Sequence, residues 1–138
     1  MITLKRISHV TILVRDLDAA LKWYSEMLGF ERRQDFSLAP SERWLTIGLA
    51  DQPDFSIVLE CPGREVHGAD LYALLAARIG KGSSLVLTTP DSRSAHRELV
   101  TRGVRLLSEP SEFPWGITAL LEDLYGNGIT LFQPIHTN

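Results

Sequence analysis

His9-Val10-Thr11-Ile12-Leu13-Val14-Arg15-Asp16-Leu17 decides how this chain reads, because a strand pattern runs straight into a helix start. Over Lys5 to Val14 the residues Val10, Ile12 and Val14 share one face while Ile7, His9, Thr11 and Leu13 share the other, so both faces need cover. Asp16 is a good helix N-cap. Leu17, Leu21, Tyr24 and Leu28 then recur at the spacing of one helical face, and Gly29 supplies the stop, which predicts a helix over 17–28. Three strands are expected after it, at Glu31 to Phe36, Arg43 to Leu49 and Phe55 to Cys61. The turn formers Ala39-Pro40-Ser41 and Asp51-Gln52-Pro53-Asp54 separate them.

Working outward, Pro62 to Gly82 reads as a connector, entered through Pro62-Gly63 and left through Gly80-Lys81-Gly82, with a short amphipathic helix between Asp70 and Ile79. Beyond it the first pattern returns. Ser84 to Thr89 reads as a strand, Asp91 caps a helix that runs to about Arg102, and Gly103 ends it. Strands follow at Val104 to Ser108, Ile117 to Glu122 and Gly128 to Phe132. Asp16 and Asp91 lie 75 positions apart and Gly29 and Gly103 lie 74 apart, the mark of an internal duplication of a βαβββ unit.

The rest of the composition narrows the class. A chain of 138 residues with 44% hydrophobic and 22% charged side chains can build its own core, and one cysteine, Cys61, rules out an internal disulfide or a Cys-pair zinc site. The net charge of −3 is spread without blocks of either sign, so no nucleic-acid or membrane-surface footprint is present. No apolar run is long enough for a membrane span and no signal-peptide core follows Met1, so a cytoplasmic protein is expected. Gly126-Asn127-Gly128 lies between two strands and lacks the helix that a phosphate-cradling loop needs. Neither a Gly-x-Ser-x-Gly hydrolase element nor a Rossmann glycine pattern occurs.

The two βαβββ units, the segment His9 to Leu17 with Trp23-Tyr24 and Leu28-Gly29-Phe30, and the later Pro114-Trp115-Gly116 and Asp123-Leu124-Tyr125-Gly126-Asn127 together resemble the vicinal oxygen chelate superfamily. That superfamily includes glyoxalase I, extradiol dioxygenases, fosfomycin-resistance enzymes and bleomycin-binding proteins. The resemblance implies an α+β fold in which two tandem modules, residues 1–61 and 83–138 about the connector 62–82, form one domain. Their strands would curl into a mixed-sheet cup with helices outside and the ligand inside. In two-module members it also implies a homodimer in which modules of two chains complete a cup.

In metal-dependent members the resemblance places one ligand on the first strand of each module and one carboxylate on the last strand of each. His9, seven residues before Asp16, fills the first position, whereas Ser84, seven before Asp91, does not fill its counterpart. Counting four from Gly126 puts Thr130 where the second carboxylate is expected. Glu60 can fill the first module's carboxylate position, although an alignment that puts Val58 there is open. One imidazole and one carboxylate fall short of the three protein ligands of a catalytic zinc, and Thr130 also removes the proton-abstracting base of glyoxalase-like members. No cofactor is therefore expected, with a divalent metal as the alternative. His67 in the connector, His96 in the second helix and His136 in the tail are not expected to make up the deficit.

The leading expectation is a metal-independent protein that binds a small organic molecule. His9, Thr11, Trp44, Val58 and Glu60 of the first module, with Ser84, Thr130 and Phe132 of the second, would line the cavity. Alternatives are a glyoxalase-type lyase or a dioxygenase, with His9 and Glu60 as the candidate catalytic pair, and a drug-sequestering protein of the bleomycin-binding type. Each residue also has a plainer reading. His9 could be satisfied by a neighbouring hydroxyl or by Glu60, Glu60 could be a solvated strand end, and Trp44, projecting with Thr46, could pack between modules. Trp115 could stand on the cavity rim, but turn-anchored core packing is the preferred reading. Cys61 is expected to be a buried structural thiol.

Overall fold

The computed structural model describes residues 1–81 and 85–135. Its chain divides into two compact units, 1–77 and 78–138, and each repeats one plan. In the first, β1 (His9–Leu13), α1 (Leu17–Leu28), β2 (Glu31–Ala39), β3 (Glu42–Gly48) and β4 (Ser56–Glu60) form a sheet ordered β1-β4-β3-β2, with β1 parallel to β4 and the other pairs antiparallel. The second has β5 (Leu85–Thr88), α4 (Ser92–Thr101), β6 (Arg105–Leu106), β7 (Ser111–Phe113), β8 (Gly116–Glu122) and β9 (Gly128–Pro134), in the order β5-β9-β8-β6 with β7 beside β8. Here too the first strand is parallel to the last, as β5 is to β9. The fold is thus α+β, two mixed sheets with peripheral helices.

The repeated Asp does what its position suggests. Asp16 accepts the Ala19 backbone N–H at 2.8 Å and Asp91 accepts that of Ser94 at 3.0 Å, each satisfying a donor that the first helical turn leaves open. Gly29 ends α1 at φ 76, a conformation that costs a residue without Cβ little. On the helix side of the first sheet Val14, Leu45, Ile47 and Leu59 are fully buried with Ala20 and Tyr24 of α1, while the Tyr24 ring stands edge-on to Phe30. Ala119, Leu121, Ile129 and Leu131 fill the matching side of the second sheet with Leu99 of α4. These residues alternate along their strands, so the opposite set is left for other work.

Several boundaries differ from expectation. The first strand is confined to His9–Leu13, since residues 5–8 take no place in the sheet. The connector holds two helices, α2 (Arg64–His67) and α3 (Ala69–Arg78), divided at Gly68 with φ 77. An unexpected strand, β7, precedes β8, and the expected strand 104–108 shrinks to Arg105–Leu106. Thr46 is buried and accepts the Gln34 backbone N–H at 3.0 Å, next to a register shift between Arg32 and Gln34. Its hydroxyl therefore serves the sheet rather than the cavity. In the second unit, Gly80 at φ 77 donates its N–H to Asn127 Oδ1 at 3.1 Å, and an added Cβ there would come within 2.0 Å of the Tyr125 carbonyl oxygen. Among the described residues no helix is long and apolar enough to cross a membrane.

Candidate functional site

The face of the first sheet away from α1 carries a pocket of about 480 Å³. Strand period two puts His9 and Thr11 of β1, Val58 and Glu60 of β4, and Trp44 of β3 on this one face. All five of these expected cavity residues line the pocket. Leu38, Pro62 and Val66 add apolar wall. The His9 and Trp44 rings meet at 65° with centroids 5.8 Å apart, an edge-on pair that forms an aromatic corner. Trp44 is further held by its Nε1–H, which donates to Gln34 Oε1 at 2.9 Å.

Of the two partners expected for His9 the structure shows the neighbouring hydroxyl, and Glu60 takes a partner the sequence did not suggest. The His9 Nδ1 lies 2.8 Å from Ser8 Oγ, whereas Glu60 Oε1 lies 3.0 Å from Nε2 of His67. His67 thus belongs to the pocket despite its place in the connector, because Pro62-Gly63 turns the chain and the single turn of α2 brings the imidazole back to the end of β4. The side chain of His67 is 11% exposed and that of Glu60 37%. The Gly63 peptide closes the other side of the ring, with its N–H and its carbonyl oxygen each 3.2 Å from Nδ1. A four-residue helix has too little periodicity to announce itself. The only sequence signal for His67 was a histidine between two glycines shortly after a strand-end glutamate.

Arg43 also borders the pocket, but its guanidinium is committed. Nε and Nη2 grip both Asp35 oxygens at 2.8 and 2.9 Å, and Nη1 donates to Asp18 Oδ1 at 2.8 Å. Those hydrogen bonds raise Arg43 above its ordinary value, and the bond from Arg43 holds the Asp35 carboxyl below its own. Cys61 is exposed as a residue, contrary to the buried thiol expected. Its Sγ lies 3.1 Å from the Arg15 carbonyl oxygen, and partial burial, then the charge of Asp16, pushes its pKa up. A thiol so held is a poor nucleophile at neutral pH.

Register also shows which positions of the two units correspond. Thr11 lies opposite Val58 in the first unit and Val86 opposite Thr130 in the second, with Thr11 five residues before Asp16 and Val86 five before Asp91. Val58 is therefore the counterpart of Thr130, and Glu60 that of Phe132. With Thr130 at the position that the resemblance assigns to a carboxylate, its register counterpart Val58 is not an acid either. Glu60 stands two residues further along and pairs with His67, while His9 pairs with Ser8, and one imidazole with one carboxylate falls short of the ligand set of a catalytic divalent ion, so the residues present do not fit one. Among the described residues no group of three His, Cys, Asp or Glu side chains gathers as a metal cluster.

The remaining expected residues belong to the second unit or lie outside the described ones. Ser84 and His136 fall outside them. Thr130 and Phe132 are half-buried on β9, on the face shared with Val86, Thr118 and Leu120. Trp115 is 61% exposed in the turn between β7 and β8 and stacks on Phe113 at 5.1 Å, so the core packing preferred for it is corrected. His96 is buried on α4, with Nε2 3.7 Å from Glu109.

A family model described as the glyoxalase/bleomycin resistance protein/dioxygenase superfamily matches residues 6–131. The chain belongs to that superfamily. Among solved structures of the superfamily's fold, UcmS2 is similar at 36% identity and TM-score 0.83, covering 94% of this chain and 98% of that one. TnmS3, described as an antibiotic binding protein from Streptomyces sp. CB03234, is similar at 27% identity and TM-score 0.77, covering 98% and 100%. The uncharacterized protein YurT of Bacillus subtilis is 28% identical over 93% of this chain and 98% of its own.

Proposed function

We propose that this superfamily member binds a small organic molecule with an aromatic or conjugated surface in the pocket of its first unit, without a metal ion. The observation that carries the reading is the His9–Trp44 corner beside Val58, an apolar and aromatic wall broken by a few polar groups, the usual make-up of a small-molecule site. The engagement of His9 with Ser8 and of Glu60 with His67 supports binding over metal chemistry. Drug sequestration is the specific form favoured by the similarity to TnmS3, whose description is that of an antibiotic binder.

The test follows the Trp44 indole N–H resonance during titration with 2-methoxynaphthalene, a neutral planar probe. A saturable shift is expected, unchanged after dialysis against a chelator. No shift removes the pocket assignment, and loss of binding on chelation removes the metal-independent part of it.

A homodimer belongs to the same proposal. Phe36 and Leu38 on the outer strand β2, and Val86 on the outer strand β5, are exposed apolar side chains that a second copy would cover. Light scattering at micromolar concentration is expected to give twice the chain mass, and a monomer would overturn this part.

A further inference from the structure

Resting on the reading of the pocket as a small-molecule site, we infer that Glu60, oriented by His67, is its polar anchor, and that it selects a neutral aromatic ligand carrying an O–H or N–H donor. Three observations lead there. Oε1 of Glu60 is held at 3.0 Å by the imidazole, while Oε2 has no hydrogen-bond partner among the described residues and the side chain stays 37% exposed. One acceptor oxygen is thus fixed in place and open on the same sheet face as Val58 and Thr11.

The second observation concerns what holds the anchor. Gly63 offers both its N–H and its carbonyl oxygen to Nδ1 at 3.2 Å, so the ring finds a partner on that side whether Nδ1 accepts or donates. When Nδ1 accepts, the ring proton sits on Nε2 and is donated to Glu60, and in the imidazolium Nε2 keeps its proton while Nδ1 donates to the Gly63 carbonyl, so the carboxylate holds its orientation in both forms. His67 is accordingly a positioning residue, acting through Glu60.

The third is charge. Among the described residues lining the pocket the guanidinium is that of Arg43, which spends three of its five N–H donors on Asp35 and Asp18 and has its charge balanced by them, and Glu42 and Glu60 both line the pocket. A ligand carboxylate or phosphate would meet a guanidinium already neutralised by two carboxylates, and would be repelled by Glu60. An O–H or N–H on a flat ring system satisfies Glu60 while the ring lies against Trp44. Once a ligand covers Glu60, an analogue without the donor is penalised, because the acceptor is then desolvated and unpaired.

The experiment compares 2-naphthol with 2-methoxynaphthalene and 2-naphthoate on the intact protein, reading affinity from the Trp44 indole resonance. The expected order is 2-naphthol at least tenfold tighter than 2-methoxynaphthalene, with 2-naphthoate weakest. Glu60→Ala is expected to bring the first two within twofold, chiefly by weakening 2-naphthol. His67→Ala is expected to lower their ratio at least threefold, a selective change that loss of general packing, which weakens both probes alike, would not make. Glu60→Gln, which keeps the shape and an acceptor, should fall between wild type and alanine. Equal affinity of 2-naphthol and 2-methoxynaphthalene in the wild type, or a ratio untouched by Glu60→Ala, overturns the anchor while leaving the pocket intact. Absence of any shift with all three probes overturns the pocket reading and the anchor with it.

Discussion

The two units hang different chemistry on one backbone plan. On the helix side their strands are alike, with Leu45, Ile47 and Leu59 in the first matched by Ala119, Leu121 and Leu131 in the second, all buried. On the opposite side the matched register positions diverge. Trp44, Thr46, Val58 and Glu60 of the first unit correspond to Thr118, Leu120, Thr130 and Phe132 of the second. Among these positions the carboxylate and the indole stand in the first unit, while the second has hydroxyl, aliphatic and phenyl groups alone. Duplication preserved the face that stabilises each unit, because a core tolerates little change in volume, and freed the other to differ.

The largest expected effect tests whether the helix-facing side acts through stability alone. Leu59→Ala should cost about 2–5 kcal/mol in chemical denaturation, since Leu59 is fully buried and its removal leaves a cavity. Leu131→Ala should fall in the same range in the second unit, and a cost under about 1 kcal/mol for either would break the likeness of the two cores.

The cavity side should respond in binding. Trp44→Ala is expected to weaken 2-methoxynaphthalene by about 1–3 kcal/mol, while Thr118→Ala, at the matched position, leaves its affinity unchanged. Equal losses in both variants would mean that the two faces share the work. A fall in melting temperature for Trp44→Ala with unaltered affinity would instead make the indole a packing group.

The smallest effect concerns Arg43 and Asp35. The folded pKa of Asp35 lies below its ordinary value of 3.8, chiefly through the hydrogen bond from Arg43. The pair's contribution is therefore present above pH 3.8 and is lost as pH falls through the lowered value. Since both side chains are partly solvated, it should amount to under about 1 kcal/mol. Asp35→Asn should flatten that part of the acid limb in pH-dependent denaturation. An unchanged limb would show that the ion pair does no more than occupy the guanidinium.

How much was legible in the residues follows the range of the forces involved. The caps at Asp16 and Asp91, the α1 stripe, the strand alternation and the repeat are set by neighbours a few positions apart, so the αβ plan and the cavity face of His9, Thr11, Trp44, Val58 and Glu60 could be read directly. Contacts between segments could not. Whether Glu60 turned to His9 or to His67 depended on how Pro62-Gly63 bent the chain and on one turn of helix, too short to leave a periodic trace. The commitment of Arg43 to two aspartates from α1 and β2 likewise arises only when strands and helix come together. Sequence by itself determined which side chains face away from the core, since alternation is a local property of the extended chain. Only the tertiary structure decided which of them touch, because a hydrogen bond is fixed by distances of about 3 Å between atoms that the chain brings together from separate elements.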